Sequence, residues 1–160
     1  MTHSLILETA TLQWAEEAAC AQAAVALASA SPHDAVLTLE GELGAGKTTF
    51  VRYLLQALGV KGRVKSPTYA VMESYDLGYP VSHFDFYRFN DPQEWEEAGF
   101  RDVFAHPGLK VCEWPQKVRG LMPTADLALV LRVQAQGTRQ VLVHACSPEG
   151  LRLLRSLKPA

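Results

Sequence analysis

The run Gly41-Glu42-Leu43-Gly44-Ala45-Gly46-Lys47-Thr48 constrains this chain more than any other stretch. It satisfies G-x-x-x-x-G-K-[ST] at every required position, a pattern whose backbone amides cradle phosphate. The pattern works only between a strand and a helix, and both flanks fit. Ala35-Val36-Leu37-Thr38-Leu39 is a short apolar, β-branched run that reads as a buried strand. From Thr49 onward, Phe50, Val51, Leu54, Leu55 and Leu58 fall at helical spacing, and Gly59 is a stop signal.

The residue types follow from the chemistry of a polyphosphate. Glycines without Cβ let backbone N–H groups of Glu42, Leu43, Gly44, Ala45 and Gly46 curl toward oxygen atoms. The new helix directs its positive end at the same charge. Lys47 supplies a point charge for the β- and γ-phosphates, the Thr48 hydroxyl suits Mg²⁺, and Thr49 suits the α-phosphate. These residues predict nucleoside triphosphate binding but leave its purpose open.

Composition narrows the field. With 160 residues, 48% of them hydrophobic, the chain reads as one domain spanning 1–160 with material for a real core. A net charge of −2 is not the footprint of a strongly basic nucleic-acid binder. Charge is nonetheless unevenly spread: −6 over residues 1–46 and +4 over the rest, so Lys47 is the first Lys or Arg in the chain. That pattern fits neither a secretory signal nor a transit peptide, and no apolar run reaches membrane-spanning length. Cys20, Cys112 and Cys146 are scattered, without C-x-x-C, and read as small buried residues in a reducing compartment. The expectation is a cytoplasmic protein.

Further along, the Ala-rich stretch Thr11 to Ala30 reads as a helix with Thr9 or Thr11 as N-cap. Tyr69–Tyr75 and Val81–Phe86 read as two strands joined by a short turn, hence antiparallel. Asp91-Pro92-Gln93-Glu94 opens a helix, and Leu109–Cys112 is a strand ending at Glu113. Leu127–Val133 and Gln140–Cys146 form a hairpin, and Ser147-Pro148 starts a last helix. The fold class is α/β: a P-loop NTPase-like domain with a mixed, parallel plus antiparallel, central sheet flanked by helices.

A hydrolytic site needs acidic partners, normally at the carboxyl ends of neighbouring strands. Asp85 and Glu113 stand at two such ends. Taken alone, Asp85 pairs equally well with Arg88, and Glu113 equally well leaves the core. Ser66-Pro67-Thr68 reads as an ordinary proline turn or, more sharply, as a switch that presents Thr68 to Mg²⁺ or phosphate. Trp114 reads as packing, His83 as a satisfied strand histidine. Lys61, Arg63 and Lys65 form a basic loop, either solvated or a docking patch for an acidic partner or RNA backbone.

The loop, Ser66-Pro67-Thr68-Tyr69, His83-Phe84-Asp85-Phe86-Tyr87-Arg88 and Glu113-Trp114-Pro115, in this order, resemble the bacterial TsaE family. That family is the small ATPase of tRNA threonylcarbamoyladenosine biosynthesis. The resemblance implies ATP and Mg²⁺ as cofactors, with Lys47 on phosphate and Thr48, Asp85 and Glu113 on the metal side. It implies catalytic roles for Lys47, Asp85 and Glu113, and places Thr68 in a switch with Trp114 beside the site. A nucleotide-contacting Arg of the late hairpin carries to Arg139, and residues around Glu8 to Thr11 to the adenine edge. It further implies TsaB–TsaD as partners, tRNA contacted only through them, and ATP hydrolysis that supports turnover of the assembly. A small-molecule P-loop kinase and a non-hydrolysing nucleotide switch are the alternative readings.

Overall fold

The computed structural model describes residues 5–158. The polypeptide runs through β1 (Glu8–Trp14), α1 (Glu17–Ser29), β2 (Val36–Glu40), α2 (Lys47–Leu58), β3 (Met72–Asp76) and β4 (Pro80–Asp85). It continues through α3 (Pro92–Ala98), α4 (Phe100–Ala105), β5 (Leu109–Glu113), β6 (Leu127–Val133), β7 (Arg139–Ala145) and α5 (Pro148–Leu157). Seven strands form one sheet in the order β1-β7-β6-β2-β5-β4-β3. β6, β2, β5 and β4 are mutually parallel, whereas β7 and β3 run antiparallel to them on the two sides and β1 pairs antiparallel with β7. The mixed sheet expected from the two hairpins is therefore present.

Strand alternation sorts side chains between two apolar layers. Leu37, Leu39, Val81, Leu109 and Val111 face a layer built with α1, α2 and α5, where Phe50, Val51 and Leu54 of α2 are fully buried. Phe84 and Cys112 face the other way, into an aromatic layer with Phe86, Phe89, Trp95, Phe100 and Phe104 from α3, α4 and their flanks. Phe84 meets Phe100 edge-on at 5.1 Å and Phe104 stacked at 5.0 Å, geometries that suit the ring quadrupoles.

The first element differs from the sequence expectation. Residues 8–14 form a strand, and the helix begins only at Glu17. Exposure alternates along Glu8–Trp14 and ends on buried Trp14, which stacks on Phe50 at 5.4 Å. Pairing with β7, reinforced by a 2.9 Å bond between the Thr9 hydroxyl and His144 Nδ1, outweighs the weak helix propensity of Thr-Ala-Thr. β3 is also shorter than expected. Residues 68–70 turn instead, Val71 takes a positive φ of 68°, and its N–H donates to Pro67 O at 2.6 Å.

The helix opened by Asp91, whose side chain accepts from Gln93 N at 2.9 Å, breaks at Gly99 into α3 and α4. Ser147 caps α5 as its sequence implies, accepting from Gly150 N at 3.0 Å. Cys20 and Cys112 are buried, Cys146 half-buried. Burial pushes the Cys20 thiol up to about 11. Among the described residues no helix is long and apolar enough to cross a membrane.

Candidate functional site

The loop between β2 and α2 has the backbone its sequence demands. Gly46, the residue before the helix, sits at φ 107°, where a Cβ is strained. Gly41 passes so close to β6 that a Cβ there would stand 2.9 Å from the Leu131 carbonyl oxygen. Lys47 is 5% exposed; its Nζ donates to the carbonyls of Gly41 at 2.5 Å and Glu42 at 2.9 Å. The same ammonium lies 4.5 Å from the Trp114 ring centroid, a cation–π contact. Desolvation lowers the Lys47 pKa, opposed by the charges of Glu113 and Asp85.

Arg139 braces the loop from the late hairpin. Its Nε donates to Ala45 O at 3.0 Å and its Nη2 to Gly44 O at 3.4 Å, while Nη1 bonds the Gly137 carbonyl. Ala45 is buried beneath the loop.

The two acids come together through sheet register. β4 and β5 are parallel neighbours with Asp85 opposite Glu113, so both side chains project on the α2 face at the carboxyl ends of their strands. Thr48 Oγ1 donates to Glu113 Oε1 at 2.7 Å, and His83 Nε2 donates to Glu113 Oε2 at 2.6 Å. Asp85 Oδ1 accepts from Tyr87 N at 3.0 Å, and Oδ2 accepts from Thr68 Oγ1 at 3.2 Å. Ser66 Oγ lies 2.8 Å from Thr68 Oγ1. Burial raises the Asp85 pKa, and the charge of Glu113 adds to the rise.

These groups surround a cavity of about 280 Å³. Of the residues singled out in the sequence, Leu43, Gly44, Gly46, Lys47, Thr48, Thr49, Thr68, Asp85, Glu113 and Trp114 line it. Glu42 instead borders a second cavity with Gly41 and Arg132. Thr68 and Trp114, read from the sequence as a turn residue or switch and as a packing residue, both face this cavity. The alternative pairing of Asp85 with Arg88 is not formed; Arg88 lies over the Tyr69 ring at 4.4 Å. Lys61, Arg63 and Lys65 are exposed and do not line the cavity. None of residues 8–11 lines it either: Glu8 is level with Ala145 and Leu127, at the end of the sheet away from the loop.

Sequence reasoning missed Tyr87, which lines the cavity and meets Trp114 at 4.9 Å, and the bond from His83 to Glu113. The signal was present: His83, Asp85 and Tyr87 are spaced by two residues, so that the strand turns His83 and Asp85 to one face.

The donor set suits a hard cation. Two carboxylates and one hydroxyl converge beside a lysine, and Mg²⁺ commonly takes one or two carboxylates plus phosphate oxygens and water. No group of three or more His, Cys, Asp or Glu suited to a metal occurs among the described residues.

A phosphate-type loop at the carboxyl edge of a four-strand parallel core, with antiparallel additions, defines an α/β protein of P-loop NTPase-like fold. The family model described as "Threonylcarbamoyl adenosine biosynthesis protein TsaE" matches residues 14–141, and the chain belongs to the TsaE family. The tRNA threonylcarbamoyladenosine biosynthesis protein TsaE of Haemophilus influenzae is 48% identical over 56% of this chain and 57% of its own length. The protein of the same name from Bacillus subtilis is 37% identical over 74% of this chain and 73% of its own length. Among solved structures, the crystal structure of Bacillus subtilis YdiB superposes with a TM-score of 0.78 at 25% identity, covering 98% of this chain and 97% of that one.

Proposed function

We propose that this chain binds ATP with Mg²⁺ and hydrolyses it, and that hydrolysis supports turnover of a TsaB–TsaD assembly that forms N6-threonylcarbamoyladenosine at A37 of tRNA. The observation that carries the reading is the meeting of Thr48, Glu113 and Asp85 on one wall of the cavity beside Lys47. Its place in tRNA modification rests on family membership and the names of the relatives.

Each residue has a task in this reading. Lys47 exchanges the carbonyls of Gly41 and Glu42 for phosphate oxygens, which are stronger, charged acceptors. Loop amides from Glu42 to Gly46 and the start of α2 offer further donors. Thr48, Asp85 and Glu113 hold the cation, whose charge offsets the mutual repulsion of the two buried carboxylates. Mg²⁺, when bound, neutralises charge that develops on the transferred phosphoryl group. Thr68 ties the Ser-Pro-Thr turn to Asp85, so the turn senses the same wall. Arg139 keeps the loop in its receptive shape through the Ala45 and Gly44 carbonyls.

The test is phosphate release by the purified chain, alone and with TsaB and TsaD, in the presence and absence of Mg²⁺. Slow Mg²⁺-dependent release alone and a clear rise with the two proteins is the expected result. An isolated loop protein hydrolyses slowly, and a supplied charge can add about 10³–10⁵ in rate. A rate that the partners leave unchanged would count against the proposal.

A further inference from the structure

His83 is wholly buried, yet among the described residues its ring makes one hydrogen bond only. Nε2 lies 2.6 Å from Glu113 Oε2, and among the described residues Nδ1 has no partner. A buried polar atom left without a partner costs on the order of 1–3 kcal/mol. An apolar side chain, like Val81 and Val111 around it on the same face, would fill this position without that cost. As packing alone the imidazole is a poor choice, so its single bond is what remains to explain.

That bond acts on a residue with two tasks. Glu113 is 1% exposed, and its oxygens are divided: Oε1 accepts from Thr48 at the start of α2, Oε2 from His83 on β4. A glutamate has three side-chain torsions, and a single bond to Thr48 leaves the carboxylate free to turn about that contact. The second bond, from a rigid ring on the neighbouring strand, fixes the carboxylate plane. Asp85 stands two residues beyond His83 on the same strand face, so β4 sets both acids from one rigid element.

We propose that His83 is a positioning residue: its Nε2–H bond to Glu113 Oε2 holds the carboxylate so that Oε1 is presented to Thr48 and to a divalent cation beside it. The inference rests on reading the cavity as a metal–nucleotide site. It concerns the strength of metal binding and leaves the loop's hold on phosphate untouched.

The experiment measures ATP binding without divalent metal by calorimetry, and Mn²⁺ binding to the ATP-bound protein by electron paramagnetic resonance. Wild type is compared with His83→Leu, His83→Gln and His83→Asn, with thermal melts as a fold control. The glutamine amide reaches the position of Nε2; the asparagine amide reaches only that of Nδ1. His83→Leu is expected to keep metal-free ATP affinity within about twofold of wild type and to weaken Mn²⁺ by about 10–100-fold, the usual effect of losing a partner behind a metal ligand. His83→Gln restores most of the loss and His83→Asn does not.

Wild-type protein that binds ATP with no metal dependence overturns the site reading itself. Metal-dependent wild type with an unchanged Mn²⁺ affinity in His83→Leu overturns this inference alone. Should the leucine variant not fold, equal Mn²⁺ affinities in the glutamine and asparagine variants overturn it as well.

Discussion

Asp85 and Glu113 stand opposite one another at the carboxyl ends of adjacent parallel strands, both less than a tenth exposed, on the wall that also carries Lys47 and Thr48. The ionised form of Asp85 is at odds with the fold in this position. Burial and the neighbouring Glu113 raise the Asp85 pKa above its ordinary 3.8. A raised carboxylate pKa means that the native state holds its proton longer than the unfolded chain does. Stability then falls as pH rises from 3.8 through the folded pKa, and the penalty is fully present above it. Asp85→Asn keeps an oxygen for Tyr87 N and removes the charge. It is therefore expected to raise the Tm of the nucleotide-free protein at neutral pH by a few degrees, a gain that fades below pH 3.8. The same variant is expected to lose Mg²⁺-dependent ATP hydrolysis. Melts across pH, paired with phosphate release, check both halves.

Lys47→Ala removes the one lysine that lines the cavity among the described residues. Hydrogen bonds to charged groups are worth about 1.5–3 kcal/mol, so ATP affinity is expected to fall by about 10–100-fold. Calorimetric titration with ATP measures the loss. A value within twofold of wild type would refute the phosphate role of Lys47.

Gly41→Ala tests the close approach of loop and sheet. The added Cβ would meet Leu131 O at 2.9 Å and Ala45 Cβ at 3.1 Å, and neither neighbour is a flexible chain end. Overpacking of this kind costs about 1–3 kcal/mol. Urea denaturation is expected to show that loss, with weaker ATP binding because the displaced loop no longer holds its amides together.

Arg139→Ala removes the brace on Ala45 and Gly44. The expected stability loss is about 1 kcal/mol, with a larger proportional loss in ATP affinity. Arg139→Lys keeps the charge but lacks the planar fork that reaches both carbonyls, so it is expected to behave more like alanine than like arginine. Comparing the two variants by urea denaturation and ATP titration separates geometry from charge.

Much of the fold was legible where the signals are local. The strand before the loop, α2, the late hairpin and the Ser147-capped helix stand within a residue or two of their sequence positions, because apolar period, caps and stop signals lie inside each segment. Thr11–Trp14, which reads as the start of a helix, is strand instead because its state depends on β7, whose partner residues lie at the far end of the chain. β3 was overextended because the turn at Val71 is set by bonds to Pro67 and Asp85, not by its own residue type.

The sequence by itself determined the phosphate-type loop, Lys47, Thr48 and the presence of acids at two strand ends. A cradle built from consecutive backbone amides needs consecutive instructions, and those can be read in order. Only the tertiary structure decided which groups meet. Parallel register sets Asp85 against Glu113, Arg139 reaches back to Gly44 and Ala45, and His83 becomes the second hold on Glu113. These are pairings between segments remote in sequence, fixed by ladder register and by the cost of leaving buried polar atoms alone.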